Sequence, residues 1–594
     1  MEVVGNRAIN EGELMDTKPN MLTEPQEFIN FLNEETQKLF ATFSANNQED
    51  IFTNFTKSWT ELATRSWEDP TVWIRAISDY QQGQMNLWRN LLAGGATVNP
   101  VASPAPGDRR FQAEEWSQNP VFDYIKQSYL LTSQLLSEMA ANAKLSDNEQ
   151  RKLEFYTQQY IDAMSPTNFA ATNPEVLHQA LETKGQSLLD GMKNLLGDME
   201  KGRISMTDES AFELGKNLAM TEGAVVFENE MLQLIHYKPT QEQVFERPTL
   251  IIPPCINKFF ILDLQEHNSY VKYCVDQGLN TFLISWVNPT EEQGYISWDD
   301  YIEKGILKAV EAVKAISSSS KINTVSWCVG GTLTASALAV MANRKDASVA
   351  SATFLTTLTD FTDPGDIGVF VDEQQVGQLT DKVTEEGFLN GRSLATSFNM
   401  LRSNDLIWSY VVNNYLKGQT PPPFDILYWN SDSTNLPATM YTFYMKEMYL
   451  ENKLSQPGAL TICGEPIDLG KIKIPVYFLS TIEDHIAPWK GTFKGTELMK
   501  GQIEFVLGAS GHVAGVINPA SKNRRNYWTG GKLGEGADTW LETAERQEGS
   551  WWNHWADWQK RRAGKKIDAP KSYGSAEFKE IEPAPGRYVK VRID

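Results

Sequence analysis

The segment 325–332, which reads VSWCVGGT, places a nucleophilic side chain between a β-rich run and a helical stretch. Such a junction is typical of a nucleophile elbow, in which the nucleophile occupies a strained strand-to-helix turn. Gly330 and Gly331 are small residues that let the turn close tightly, whereas Ser326 stands where glycine is usual. The dipole of the following helix favours a thiolate at its N-terminus. The pattern therefore predicts Cys328 as a nucleophile able to accept an acyl group from a thioester.

An acid and a base follow Cys328 in the chain order of α/β-hydrolases, which is nucleophile, acid, histidine. Asp484 comes after the β-rich run 476–479, and His512 comes after the run 503–507. The carboxyl ends of parallel strands meet at one edge of a sheet, where such folds place their sites. We therefore predict His512 as the general base and Asp484 as the carboxylate that orients it.

Neighbouring residues offer alternatives and further roles. His485 lies on the turn of the acid and is interpreted as structural, while Glu483 remains the weaker alternative for the orienting carboxylate. The backbone N–H groups of Val329 and Ile256 are predicted to form the oxyanion hole. Cys255 shares a loop with Ile256, but no base lies beside it in the sequence, so it is interpreted as structural.

After about residue 247, the pattern of residues along the chain predicts the fold that positions these side chains. Short β-rich runs alternate with helical stretches, which indicates a mostly parallel sheet covered by helices. The runs are 249–252, 281–284, 322–327, 352–355, 476–479 and 503–507. The rhythm disappears between about 361 and 454, and we interpret this insertion as a cap over the site. The predicted fold class is α/β, an α/β-hydrolase fold with a cap insertion, preceded by a helical N-terminal domain.

Before the sheet, the chain is patterned as helix. Apolar residues recur at helical spacing after a capping box at residues 23–26. The aromatic residues Trp59, Trp73 and Trp88 are interpreted mainly as packing between helices, with a face for a partner or an apolar surface as the alternative. The predicted domains are amphipathic helices at 1–93, a Gly/Ala/Pro-rich linker at 94–108, a helical domain at 109–235 and the α/β-hydrolase domain at 236–594.

Composition excludes several functional classes. A formal net charge of −22 argues against nucleic acid as a partner. No apolar run is long enough to span a membrane, and the first residues do not resemble a signal peptide. The four cysteines contain no CxxC pair, which argues against a disulfide framework and a cysteine zinc site. We therefore expect no metal and a cytoplasmic location.

Longer motifs give these residues a family context. From about residue 108 onward the sequence resembles the class I polyhydroxyalkanoate synthases, in the stretches TDESAFELG, TEGAVVFENE, PPCINKFFILDL, SWDDYIE, CVGGT, FDILYWNSDSTNLP, EDHIAPW, GASGHVAGVINP, GSWW and PAPGRYVK. The resemblance implies polyester synthesis from (R)-3-hydroxyacyl-coenzyme A without a cofactor, because the thioester is itself the substrate. It assigns the nucleophile to Cys328, the base to His512 and the acid to Asp484.

The resemblance also implies partners and a location. It implies a homodimer that makes contact through the cap, with Phe424 near that contact. The growing polyester and the granule surface are expected partners, and granule-associated proteins are expected to bind the N-terminal region. The substrate is expected to be short, as in 3-hydroxybutyryl-coenzyme A. Ser326 and Trp327 depart from the glycine and smaller aromatic usual in the family, which bears on rate and side-chain preference.

Three basic residues are predicted to bind the substrate, and two other functions are alternatives to polyester synthesis. Arg402, Arg524 and Arg525 are predicted to meet the phosphates of coenzyme A, because the chain is otherwise acidic. One rival function is a cysteine thioesterase or esterase on the same fold, which would release free hydroxy acid. A second is a catalytically silent protein that coats apolar granules, and the presence of a complete nucleophile, acid and base set argues against it.

Overall fold

The described chain falls into two compact units. The structure, a computed structural model, describes residues 56, 59, 60, 71–93, 100–143 and 145–593. One unit, here the helical unit, holds the described residues up to Asp208 together with Thr396–Pro422. The other, the sheet unit, holds Glu209–Ala395 and Pro423–Asp594. The predicted capping box at 23–26 lies outside the described residues.

The helical unit is built from amphipathic helices with recognisable start signals. Its helices are α1 (Thr71–Leu92), α2 (Glu115–Gln118), α3 (Pro120–Ala141), α4 (Asp147–Ala163), α5 (Pro174–Glu182) and α6 (Gln186–Lys201). Asn119 and Asn173 cap α3 and α5 with their side-chain oxygens, and a proline occupies the first position of each helix. One core of this unit contains Leu87, Trp116 and Leu131, all nearly inaccessible to solvent.

The sheet unit contains the predicted parallel sheet. Within the described residues, eleven strands form one sheet in the order β15-β14-β13-β12-β7-β6-β4-β5-β2-β1-β17. Strands β4, β5, β6, β7, β12 and β13 pair in parallel, and antiparallel strands extend the sheet at both ends. The strands are β1 (Gly223–Glu228), β2 (Leu232–Tyr237), β3 (Gln243–Phe245), β4 (Thr249–Ile252), β5 (Thr281–Trp286), β6 (Ile322–Trp327), β7 (Val349–Leu355), β8 (Phe388–Leu389), β9 (Leu436–Pro437), β10 (Thr461–Ile462), β11 (Glu465–Pro466), β12 (Val476–Thr481), β13 (Ile503–Gly508), β14 (Asn526–Thr529), β15 (Glu545–Glu548), β16 (Lys566–Asp568) and β17 (Glu582–Pro583). Every run that the sequence predicted as strand is one of the parallel strands.

Helices cover this sheet and fill the long insertion between β7 and β12. They are α7 (Tyr270–Asp276), α8 (Trp298–Asp300), α9 (Lys308–Ser317), α10 (Val329–Asn343), α11 (Glu373–Glu386), α12 (Gly391–Met400), α13 (Asp425–Asn430), α14 (Ala438–Phe443), α15 (Trp489–Phe493), α16 (Gly495–Leu498), α17 (Ala537–Thr543) and α18 (Trp551–Lys560). The segments Tyr301–Leu307, Asn404–Trp408, Val411–Leu416 and Tyr444–Leu450 are π-helical. None of the helices in the described part of the chain is long and apolar enough to cross a membrane.

The boundary predicted at residue 235 needs correction. The predicted helical domain includes residues 223–235, but β1 and most of β2 lie in this stretch, and the two strands pair in antiparallel fashion within the main sheet. All six residues of β2 are buried, so the strand lacks the alternation of apolar and polar residues that marks a half-buried strand. A short, continuously buried run cannot be told from a helix segment by its periodicity.

The insertion predicted as one cap over 361–454 is also divided. Residues 396–422 belong to the helical unit instead of the sheet unit. Buried polar contacts fix them there: the hydroxyl of Ser403 donates to Asp162 at 2.8 Å, and the hydroxyl of Tyr415 donates to Asp198 at 2.7 Å. A buried hydroxyl without a partner is costly, so these contacts specify the packing.

The second half of the predicted linker is attached to the helical unit around Ala102. Residues 94–99 lie outside the described residues, but Ala102 is buried in the helical unit. The buried side-chain oxygen of Gln127 accepts the backbone N–H groups of Val101 at 2.6 Å and of Ala102 at 3.2 Å. A single amide side chain on α3 therefore anchors this segment.

Replacing Gln127 by leucine is expected to loosen the segment 100–108. The change leaves two backbone N–H groups without their acceptor, and each such buried group costs about 1–3 kcal/mol. Limited trypsinolysis at Arg109 and Arg110 should accelerate by at least about tenfold. The exposed Gln118, whose side chain donates to Glu114, provides the control, since Gln118→Leu should leave the rate unchanged. Equal rates for both variants would contradict the anchoring role.

Candidate active site

Cys328 occupies the strained backbone conformation expected of a nucleophile elbow. It joins β6 to α10 with φ of 52° and ψ of −128°, a region that side chains other than glycine rarely adopt. The turn is held because the Cys328 N–H donates to Leu355 O at 2.9 Å and its carbonyl accepts the Gly331 N–H at 2.8 Å. The thiol lies at the N-terminus of α10, where the helix dipole favours its anion.

The two glycines after Cys328 are required by close contacts. A Cβ atom on Gly330 would lie 2.6 Å from the carbonyl oxygens of Ile252 and Pro253, which end β4. A Cβ on Gly331 would lie 2.1 Å from the Thr357 hydroxyl oxygen. Both distances are far below van der Waals contact, so α10 starts close to the sheet only because these side chains are missing.

The two unusual residues before Cys328 are accommodated by hydrogen bonds. Ser326 is buried, and its hydroxyl donates to the carbonyl of Thr353 on the neighbouring strand β7 at 3.0 Å. The indole N–H of Trp327 donates to the hydroxyl of Thr356 at 2.9 Å. The ring of Trp327 stacks with two others, with centroids 6.4 Å from Trp429 and 6.1 Å from His512.

His512 and Asp484 form the predicted pair at the carboxyl ends of β13 and β12. The Nδ1 atom of His512 lies 2.7 Å from Oδ2 of Asp484. The other carboxylate oxygen accepts the backbone N–H groups of Ile486 and Ala487, each at 2.9 Å. The carboxylate is thereby fixed, and a proton on Nδ1 leaves Nε2 of His512 as the acceptor. Glu483, the alternative carboxylate, is exposed.

Buried indoles hold the loop that carries His512. Trp551 and Trp552, at the start of α18, donate their ring N–H groups to the carbonyls of Gly515 at 3.0 Å and Val516 at 2.9 Å. The guanidinium of Arg525 donates to the carbonyl of Ala514 on the same loop. His512 therefore lies on a loop whose carbonyl groups accept hydrogen bonds from residues outside the loop, which limits its motion.

The electrostatic surroundings favour a charged imidazole. Burial alone would lower the pKa of His512, but the carboxylate of Asp484 and the thiol of Cys328 raise it from 6.5 to about 10. The thiol of Cys328 therefore interacts with the imidazole of His512. Burial raises the pKa of the Cys255 thiol, which agrees with its interpretation as a structural residue.

The loop after β4 approaches the elbow as the sequence predicted. Gly330 packs on the carbonyls at the start of this loop, and Cys255 interacts electrostatically with Cys328. Val329 is the first residue of α10, so its N–H has no acceptor within the helix. The assignment of Val329 and Ile256 to an oxyanion hole stays a prediction.

The insertion contributes two phenols that sequence reasoning missed. Tyr444 and Tyr449 lie on the π-helical segment Tyr444–Leu450, with ring centroids 5.1 Å apart. Burial raises the pKa of both phenols, and each also interacts electrostatically with Cys328. Their spacing in the sequence gives no sign of this, because their interaction with Cys328 comes from the path of the insertion.

The three predicted phosphate-binding arginines differ in their surroundings. Arg524 is exposed on the sheet unit, after the histidine loop. Arg525 is exposed as well, although its guanidinium is partly engaged by the carbonyl of Ala514. Arg402 is exposed on the helical unit. No group of three or more side chains suited to hold a metal occurs among the described residues.

Comparisons with known proteins show the family and the fold class of the chain. Residues 107–274 match the family described as the N-terminus of poly-beta-hydroxybutyrate polymerase (PhaC), and residues 248–519 match the alpha/beta hydrolase fold, which confirms the predicted fold class. The chain is 47% identical over 526 residues to the poly(3-hydroxyalkanoate) polymerase subunit PhaC of Cupriavidus necator, covering 87% of this chain and 88% of that protein. It is 42% identical over 545 residues to a poly(3-hydroxyalkanoate) polymerase of Methylorubrum extorquens, with 90% of each chain covered. A monoacylglycerol lipase structure from Paleococcus ferrophilus aligns with a TM-score of 0.30 and 13% identity, over 47% of this chain and 90% of that one.

Replacing Gly331 by alanine is expected to destabilise the protein, because the new methyl group overlaps Thr357 in a packed core. Overpacking of this kind costs about 1–3 kcal/mol, which calorimetry should report as a lower melting temperature. Gly377 in α11 is the matched control, since a Cβ there meets nothing within 4 Å. Gly377→Ala should be neutral or stabilising by up to about 1 kcal/mol. An unchanged melting temperature for Gly331→Ala would contradict the close packing.

Replacing Asp484 by asparagine is expected to lower the pKa of His512, because the charge that raises it most is removed while burial remains. NMR titration of histidine-labelled protein would measure this, with the His512 signal assigned by its loss in His512→Gln. Glu483→Gln is the control and should leave the pKa high. The same shift makes stability depend on pH. Because the folded-state pKa of His512 lies above 6.5, its protonated form stabilises the folded protein fully below pH 6.5, and this stabilisation is lost as the pH rises towards 10. Equal pKa values in both variants would contradict the pairing.

Proposed function

The chain belongs to the family of poly(3-hydroxyalkanoate) polymerases, and from this premise we propose that it is a class I enzyme that polymerises (R)-3-hydroxyacyl groups through an acyl intermediate on Cys328. The observation that carries the proposal is the strained Cys328 beside a buried His512 whose Nδ1 lies 2.7 Å from Asp484. The substrate is a coenzyme A thioester, and no cofactor takes part.

In the first step, His512 accepts the proton of Cys328 at Nε2. The thiolate attacks the carbonyl carbon of the thioester, and the N–H groups of Val329 and Ile256 stabilise the oxyanion that forms. The bond from the carbonyl carbon to the sulfur of coenzyme A then breaks, and His512 returns the proton to that sulfur. One thioester replaces another, so the acyl transfer to Cys328 is close to balanced in energy.

In the second step, the 3-hydroxyl group of one unit attacks the acyl carbon of the unit carried by Cys328. His512 accepts the hydroxyl proton, the bond from that carbon to the cysteine sulfur breaks, and the thiol is restored with the same proton. Asp484 stabilises the imidazolium in both steps. The aromatic rings of Trp327, Tyr444 and Tyr449 keep water from the acyl-cysteine, whose hydrolysis competes with chain growth.

The crowding of aromatic rings supports a short acyl chain, with (R)-3-hydroxybutyryl-coenzyme A as the proposed substrate. Among the three arginines, Arg524 is the best placed for the phosphates of coenzyme A, because its side chain is exposed on the sheet unit beyond the histidine loop. The proposed product partner is the surface of a polyester granule in the cytoplasm. A homodimer and binding of granule proteins through the N-terminal region remain part of the proposal.

Replacing Cys328 by alanine is expected to abolish release of coenzyme A from (R)-3-hydroxybutyryl-coenzyme A, with a loss on the order of 10⁴-fold or more, as for other covalent nucleophiles. Insoluble polyester should form with the unaltered chain and be absent in the variant, measured by mass and by chromatographic sizing. Cys463→Ala is the matched control, because this half-buried cysteine bonds Asp299 and has no role in the proposed chemistry.

Other outcomes of this assay would indicate a different function or a different site. Release with only free hydroxy acid would indicate a thioesterase, and release that survives Cys328→Ala would overturn the site. Absence of release from the unaltered chain, with longer hydroxyacyl thioesters as well, would favour a silent granule protein.

A further inference from the structure

A buried ion pair joins the loop after β4 to the insertion. The ammonium group of Lys258 lies 2.8 Å from Oδ1 of Asp432, and the two side chains are 4% and 1% exposed. The same ammonium group donates to the carbonyl of Val591, near the end of the described chain. Three distant segments of the sheet unit therefore meet at one buried lysine.

Backbone contacts continue this junction toward Ile256. The carbonyl of Ile256 accepts the N–H of Thr434 at 3.1 Å, and Asn257 pairs with Ser433 in an isolated antiparallel bridge. The carbonyl of Lys258 accepts the indole N–H of Trp429 at 2.7 Å. Each residue from 256 to 258 is thus tied to the segment 429–434.

Burying the charges around Lys258 costs free energy, because each charged group loses its hydration. Arg592 lies 4.0 Å from Asp432 and 3.3 Å from Glu209, so two cations and two anions share the junction. Burial lowers the pKa of Lys258 and raises that of Asp432, while each partner's charge acts in the opposite direction. An apolar pair of similar size is often as stable as a buried ion pair, so stability alone gives little reason for these charges.

We propose that Lys258 is a positioning residue for the reaction: it fixes the loop so that the N–H of Ile256 points at the oxyanion of the bound thioester. This inference rests on the proposed function and adds the group that holds one half of the oxyanion hole. Lys258 lies two residues from Ile256, and it contacts three partners, Asp432, Val591 and Trp429. At the start of the same loop, Gly330 of α10 packs against the carbonyls of Ile252 and Pro253. An oxyanion donor is effective only when its direction is fixed before the charge develops.

Two reactions of Cys328 separate positioning from general damage. Acylation by (R)-3-hydroxybutyryl-coenzyme A needs the oxyanion hole, whereas alkylation by iodoacetamide does not: the thiolate displaces iodide, and no oxyanion forms. Both are measured in the Cys463→Ala background, because Cys255 and Cys274 are buried. In Lys258→Met, kcat for coenzyme A release should fall about 10- to 100-fold, somewhat less than for deletion of an oxyanion donor. KM and the alkylation rate should stay within about twofold, since neither depends on transition-state charge.

A double variant keeps the inference testable if Lys258→Met is unstable. Lys258→Met with Asp432→Leu removes the carboxylate that the single change leaves buried without a partner. Its melting temperature should recover, while kcat stays low because the bond to the Val591 carbonyl is still missing. Lys272→Met is the surface control, since Lys272 pairs with Asp276 at the same 2.8 Å but is partly exposed, and it should change neither reaction.

Each remaining outcome overturns the inference. Wild-type kcat in Lys258→Met, recovery of kcat together with stability in the double variant, or a parallel loss of alkylation would mean that Lys258 only supports the fold. Failure of the proposed function looks different and is read in the other experiment: the unaltered chain would then release no coenzyme A, release it with only free hydroxy acid, or keep releasing it in Cys328→Ala.

Discussion

The close approach of α10 to the sheet is the constraint on which the site depends. Gly330 lies against the carbonyls that end β4, so the elbow and the loop after β4 are forced together. The strained φ at Cys328 is tolerated because hydrogen bonds from two sides fix the turn. This contact brings the thiol of Cys328, the N-terminus of α10 and the loop after β4 together at the carboxyl edge of the parallel strands.

Rigid support around this edge comes mostly from groups that touch no reacting atom. Indole N–H groups hold the loop of His512, backbone N–H groups hold the carboxylate of Asp484, and a buried ion pair holds the loop of Ile256. Each uses a strong, directional interaction in a dry environment, where an unmade bond is costly. The large number of tryptophans in the chain, seventeen, is thereby partly explained by hydrogen bonding as well as by volume.

Local pattern was sufficient for the features that chemistry or strand geometry dictates. The strand-to-helix turn at Cys328 and the positions of Asp484 after β12 and His512 after β13 follow from residue type and chain order, and the structure brings His512 and Asp484 together. Sequence patterns did not predict the features that depend on tertiary packing. The fully buried β2 shows no alternation, and Tyr444 and Tyr449 reach Cys328 only through the path of the insertion. The role of Gln127 as an anchor for residues 100–108 likewise depends on a contact across 26 positions of the chain.

The division of the insertion has a consequence for how the molecule is made. The helical unit is discontinuous: its N-terminal part ends at Asp208, but its packing includes Thr396–Pro422. During synthesis on the ribosome, Asp162 and Asp198 are translated before their partners Ser403 and Tyr415, which lie 241 and 217 positions later in the chain. These hydrogen bonds can therefore form only after more than 200 further residues have been translated. Strands β1 to β7 emerge in that interval, so the first part of the chain to be synthesised is not the first to complete its structure. A fragment that stops at Asp208 is therefore not a natural module for transplantation, since it omits a piece of its own interior.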